Sequence, residues 1–208
     1  MTDDRKLTLF HAPHSRSSGV LLLLEELGAP YDLNILSLKA AEQRAPAYLA
    51  VNPMGKVPAI KHGDALVTEQ VAIYLYLADL FPQANLAPPI GDPLRGPYLR
   101  WMVFYAASFE PALADKASKV EHPSQMSPYG DFDTMLGTLL AELGKGPYLL
   151  GERVTAADVL WGSALRWTTM FKLVPETPDV AAYIARMANR PAAIRAREKD
   201  AKLAAAQA

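Results

Sequence analysis

The chain has 208 residues, half of them hydrophobic and 21% charged, with a formal net charge of −1. That is the make-up of an ordinary globular protein, and so even a balance of charge calls for neither nucleic acid nor an anionic membrane as partner. Cysteine is absent, which excludes disulfides, thiolate metal sites and any nucleophilic or redox role for a protein thiol, so sulfur chemistry would need a ligand that brings the sulfur.

The opening MTDDRK carries two acids and no long apolar stretch, which predicts no secretory signal and a cytoplasmic location. Leu7–Phe10 reads as a short strand, followed by the turn-prone HAPHS. A helix is predicted from about Ser15 to Leu27, closed by Gly28, with a second strand over Tyr31–Leu36. Lys39–Ala50 reads as a helix interrupted at Pro46. Next come a strand at Val57–Lys61, the turn HGDA and a short strand at Leu66–Thr68. The apolar helix VAIYLYLADLF closes the unit before Pro82. The order βαβ, α, ββα describes an α/β domain over residues 1–81. The proline-rich stretch 82–92 reads as a linker. From 93 to 208 the strand signal vanishes. A long helix bent at Pro111, a helix over DFDTMLGTLLAEL, one from Thr155, one over Val180–Met187 and an Ala-rich tail after Pro191 make an all-helical domain.

Pro58 poses a question, because a proline inside a strand cannot donate a ladder hydrogen bond. Either it sits in a plain edge loop, or its peptide bond is cis. In the second case the main chain of Val57 faces outward, able to hold an extended peptide as an added strand. In Val154-Thr155-Ala156-Ala157-Asp158-Val159, Thr155 and Asp158 have capping-box spacing and read as a folding device. His11 and His14 lack companions for a metal site, so no metal is expected; they read as lining a cleft or facing solvent. Ser15, Ser17 and Ser18 stand where they can cap the first helix. Tyr98, Trp101, Phe104, Tyr105 and Phe109 recur at helical spacing, as core residues do.

NPMGKVPAI (52–60), followed by Thr68-Glu69-Gln70, resembles the glutathione-binding stretch of the glutathione transferase family. YLLGERVTAADVL (148–160) resembles that family's capping motif. LTLFHAPHSRSSGVLLLLEELGAPYDL is similar to its opening strand, loop and helix. The resemblance, to a serine-type bacterial member of the cytosolic type, implies a thioredoxin-like N-terminal domain joined to an all-α domain. It implies glutathione as co-substrate, held by the Val57 main chain beside a cis Pro58. Glu69 would accept from the γ-glutamyl ammonium. Gln70 stands where the family commonly has Ser, at the helix N-terminus facing the γ-glutamyl carboxylate. For the glycyl carboxylate Lys56 ranks first, then Arg44, Lys39 and His62. Counting forward from Leu9-Phe10, Ser15 falls at the thiol-activating position; counting back from Glu25-Glu26 favours its neighbours, so Ser17 and Ser18 stay open. Tyr105, Phe109 and Trp101 would wall a site for an apolar electrophile. The implied activity is conjugation of the glutathione thiolate to hydrophobic electrophiles by a homodimer. The alternatives are a non-catalytic glutathione-binding module, or a glutathione-dependent peroxidase, isomerase or dehalogenase.

Overall fold

A computed structural model of the chain describes residues 6 to 207; the acids of the opening MTDDRK lie outside them. The chain divides into two compact units, Met1–Ala84 with Arg190–Ala208 and Asn85–Asn189. The thioredoxin-like plus all-helical architecture is as expected, with one difference. The final segment, expected as a tail of the helical domain, is a helix that belongs to the first unit.

The first unit is built on four strands, β1 (Leu7–His11), β2 (Asp32–Ile35), β3 (Ala59–His62) and β4 (Ala65–Thr68). Their order is β2-β1-β3-β4, with β1 and β2 parallel and the other pairs antiparallel. The parallel pair needs a crossover, and α1 (Ser17–Leu27) supplies it. Its VLLLL run packs Val20, Leu21, Leu23 and Leu24 out of reach of water. Gly28 ends it in the left-handed region at φ 61°. The Gly28 N–H bonds the Glu25 carbonyl and the Ala29 N–H bonds that of Leu24, a Schellman closure. The helix expected over 39–50 is reduced to a 3-10 turn at Glu42–Arg44 and one turn, α2 (Pro46–Leu49). Ala45 is extended, as a residue before proline prefers, and that splits the two. After β4 comes α3 (Gln70–Leu80), tied to α1 by the buried Tyr74 hydroxyl, which donates to the Gly19 carbonyl at 2.6 Å.

The second unit is helical. α4 (Arg95–Phe104) runs through a π turn at Tyr105–Phe109 into α5 (Glu110–Ser118). Pro111 has no N–H and its ring crowds the preceding turn, so the irregularity falls one turn before it rather than as a bend at it. α6 (Phe132–Leu143), α7 (Ala156–Met170) and α8 (Pro178–Ala188) complete the unit. Asp158 is fully buried. It accepts from the Thr155 and Leu149 N–H groups, both at 2.8 Å, and from the Tyr183 hydroxyl at 2.9 Å. Burial pushes its carboxyl above the usual carboxylate range, against the pull of these donors. It is a structural pin, as its capping spacing predicts. α9 (Pro191–Ala205) returns to α1. There Arg190 grips Glu26 through two nitrogens at 2.6 and 2.7 Å, while Arg195 and Lys199 hold Glu25 at 3.1 and 2.7 Å.

Candidate functional site

The sheet register brings three chain segments to one end of the first unit. Phe10 pairs with Ala59, and Ala59 pairs with Thr68. The residues just past this row are the loop after β1, Val57-Pro58 ahead of β3, and Glu69-Gln70 at the entrance to α3.

The Val57–Pro58 bond is cis. Ladder pairing of β3 begins at Ala59, so the donor that Pro58 lacks is not needed. Among the described residues neither the N–H nor the C=O of Val57 has a protein partner. The chain on either side is held firmly. The Lys56 carbonyl accepts from the Tyr48 hydroxyl at 2.6 Å and from Asn52 Nδ2 at 2.9 Å. Buried Asn52 also accepts from the Met54 N–H at 3.1 Å. Gly55 sits at φ 60°, where a Cβ would come within 2.8 Å of the Gln43 carbonyl, so a side chain is excluded twice over. Behind the loop, Tyr48 packs on Phe10 with Leu36 and Ala59. The result is a rigid loop that presents one open peptide pair.

Glu69 is exposed and adopts φ 64°, ψ 116°, a conformation non-glycine residues rarely take. It is followed at once by the first N–H groups of α3, which lack acceptors within the helix. An acid and the N-terminal N–H groups of a helix therefore stand side by side, suited to a group carrying both an ammonium and a carboxylate. The Gln70 amide donates to the Arg16 carbonyl at 3.3 Å.

The loop between β1 and α1 gathers the remaining polar groups. Ser15 Oγ donates to the Ala12 carbonyl at 2.7 Å, accepts from the Ser17 N–H at 3.1 Å and lies 2.7 Å from Ser17 Oγ. Ser17 is fully buried. Its oxygen accepts from the Ala12 N–H at 3.0 Å and stands 2.8 Å from His11 Nδ1. His11 is buried as well, and its Nε2 lies 2.9 Å from Asp200 Oδ1. That is ion-pair distance, although the contact does not make a hydrogen bond. Asp200, on α9, also accepts from the His14 N–H at 3.2 Å and the Ser18 hydroxyl at 3.0 Å. Burial pushes its carboxyl up, but the adjacent His11 ring, the His14 N–H and the Ser18 hydroxyl together outweigh that and hold it below its ordinary value.

These positions sort the expected residues. Ser15, Lys56, Val57, Pro58, Glu69 and Gln70 come to one end of the sheet, and Ser15 keeps part of its surface open. Ser17 does not; it is enclosed as a support for Ser15. Arg44 reaches the Met54 carbonyl at 3.3 Å and so braces the loop from behind. His62 lies at the other end of β3, buried and 2.8 Å from the Tyr76 hydroxyl, so it is no carboxylate ligand here. Trp101, Tyr105 and Phe109 are buried around Trp161, with ring centroids 6.1, 5.4 and 4.8 Å from it, and this leaves no ring face for an electrophile. His11, read as a cleft or solvent residue, is inside. Asp200 was missed. Its signal was present in Pro191 at a helix start followed by Ala192, Ala196 and Asp200 at four-residue steps, a buried stripe.

The glutathione S-transferase N-terminal domain profile matches residues 5–79, and the C-terminal domain profile matches residues 106–191. The chain is similar to glutathione S-transferase GstA of Escherichia coli O157:H7, 30% identical over 190 residues that cover 89% of this chain and 94% of the relative. It is 29% identical over 177 residues to the glutathione S-transferase-like protein gedE of Aspergillus terreus, covering 77% of this chain and 76% of that one. A solved glutathione transferase from Methylococcus capsulatus matches with a TM-score of 0.80 at 28% identity, over 94% of this chain and 99% of its own. A homologue from Sulfitobacter, solved with bound glutathione, matches with a TM-score of 0.75 at 29% identity, over 93% and 98%.

Proposed function

The chain belongs to the glutathione S-transferase family, and we propose that it conjugates the thiolate of glutathione to small apolar electrophiles, working as a cytoplasmic homodimer. The observation that carries the reading is the open main-chain pair of Val57 at the same sheet end as Ser15, Glu69 and the start of α3. Glutathione is an extended tripeptide, and its cysteinyl unit would add to Val57 as a strand adds to an edge. The γ-glutamyl ammonium would face the Glu69 carboxylate, its carboxylate the first N–H groups of α3, and the glycyl carboxylate Lys56. The sulfur would then lie toward the β1–α1 loop, where the Ser15 hydroxyl donates to it. A hydrogen bond that favours the charged form lowers a thiol pKa. The thiolate attacks the electrophilic carbon, a C–S bond forms, and the leaving group departs with its electron pair.

One observation favours a second reading. Gln70 gives one amide N–H to the Arg16 carbonyl, so its side chain has one donor fewer for the γ-glutamyl carboxylate, as suits a protein that binds glutathione without turning it over. Calorimetric titration with glutathione followed by a turnover assay with a panel of electrophiles and hydroperoxides tests both. Binding with no turnover on any of them would select the second; no binding would remove both.

A further inference from the structure

The groups behind Ser15 exceed what a simple hydroxyl donor requires. A serine at a helix entrance can donate to a bound sulfur unaided. Here it is backed by a second hydroxyl at 2.7 Å, a buried imidazole 2.8 Å farther on, and a carboxylate 2.9 Å beyond the other ring nitrogen. His11 and Ser17 are shut off from solvent, so this line of polar atoms reaches water only at its two ends, Ser15 and the Asp200 carboxylate. Buried polar lines of this kind are costly unless each member has a partner; here the members stand in series, and His11 Nε2 is left with an ion-pair contact in place of a hydrogen bond.

We propose that Ser15, Ser17, His11 and Asp200 form a proton relay that takes up the thiol proton of bound glutathione inside the protein. The relay rests on the reading of Ser15 as the group facing the sulfur. Both serine hydroxyls have the Ala12 carbonyl as an alternative acceptor, Ser15 at 2.7 Å and Ser17 at 3.0 Å, so the relay runs when each hydroxyl turns from it. The thiol proton then passes to Ser15 Oγ, the proton of Ser15 to Ser17 Oγ, and the proton of Ser17 to His11 Nδ1. The products are a thiolate, two intact hydroxyls and an imidazolium whose Nε2–H faces the Asp200 carboxylate. Charge balances, because the new anion and the new cation form together and nothing leaves the protein. When the electrophile reacts by addition, the proton returns along the same path to the new carbanion; when a leaving group departs, it returns to Ser15 and escapes to water.

The contact at Asp200 fits this role. Without a hydrogen bond it gives little to a neutral ring, whereas an ion pair at 2.9 Å acts strongly once the ring is charged. Charged groups at this end include the exposed ring of His14, whose Nδ1 lies 3.4 Å from Asp200 Oδ2, the exposed Arg16, and the exposed Lys56 and Glu69. On β2 the register partner of His11 is the uncharged Ile35. The carboxylates of α1, Glu25 and Glu26, stand at its far end and are held by Lys199, Arg195 and Arg190.

The test is a titration of the full chain with glutathione, in which ultraviolet absorbance reads thiolate. Calorimetry in buffers of different ionisation heat counts protons released. The relay predicts thiolate in the wild type without matching proton release. In His11→Asn and Asp200→Asn the thiolate fraction at neutral pH falls about tenfold, one unit of thiol pKa, and each residual thiolate releases a proton. If His11→Asn fails to fold, the Asp200→Asn result decides. One proton released per thiolate in the wild type overturns the relay. So does an Asp200→Asn protein that loses only thermal stability and keeps the wild-type thiolate titration. Absence of any binding heat in the wild type overturns the conjugation reading itself, an outcome distinct from binding with proton release.

Discussion

Ser15 and Ser17 hold their hydroxyl oxygens 2.7 Å apart, yet only Ser15 keeps any exposed surface. The two serines therefore divide the work, one facing outward and the other fixing it from inside. Ser15→Ala should lower turnover by about ten- to a hundredfold, the worth of one hydrogen bond to a charged group. The dissociation constant of glutathione, read by calorimetry, should change less than about threefold, since the main-chain and end-group contacts remain. Unchanged turnover in steady-state assays would remove Ser15 from the thiol.

At the start of α3 the Gln70 amide gives one N–H to the Arg16 carbonyl. Gln70→Ser would place a short hydroxyl at the same helix entrance, free to donate to a carboxylate. Glutathione should bind about three- to tenfold more tightly, from one added charge-assisted hydrogen bond. Calorimetry that returned weaker or equal binding would show that the carboxylate does not sit there.

Glu25 ties α1 to α9. Burial pushes its carboxyl up, but Lys199, Tyr31 and Arg195 together outweigh that and hold it at about 2. A carboxyl whose pKa is depressed in the folded state adds stability that is fully present above its unfolded value of 4.5 and is lost as pH falls toward about 2. Wild-type thermal stability should therefore fall more steeply between those limits than that of Glu25→Gln. Parallel curves in a pH series of thermal melts would contradict this.

α7 and α8 touch at Gly162, where a Cβ would lie 2.6 Å from Met187 Cβ and 2.7 Å from Met187 Cγ. Gly162→Ala should destabilise the chain by about 1–3 kcal/mol, as overpacking does. Adding Met187→Ala to Gly162→Ala should recover part of the loss. Denaturant unfolding of the single and double variants checks both signs.

Local signals carried much of this protein into view from its sequence. The Gly28 closure, the Thr155–Asp158 cap and the order of strands and helices each rest on residues a few positions apart. The loop around Pro58 was legible for the same reason, with Asn52, Gly55 and Pro58 all within seven positions. What escaped was long-range. Asp200 meets His14 and Ser18 across 186 and 182 positions, and no periodicity in either segment announces that pairing. The aromatic run from Trp101 to Phe109 was ambiguous because a core stripe and a ligand wall have the same spacing, and burial around Trp161 decided for the core. Ser15 and Ser17 were inseparable for a related reason. Which hydroxyl faces water depends on how α1 enters from its loop, and that angle is set by packing.

The placement of α9 also sets a schedule for biosynthesis. Its partner α1 leaves the ribosome early, but Asn85–Asn189 must all be translated before Pro191–Ala205 can reach it. At about 5–20 residues per second the delay is on the order of ten seconds. Through that interval one flank of α1 stays bare, its carboxylates Glu25 and Glu26 without their basic partners and His11 without the Asp200 carboxylate. A nascent chain in this condition is a natural client for a chaperone, and a premature stop codon ahead of Pro191 would make the exposure permanent.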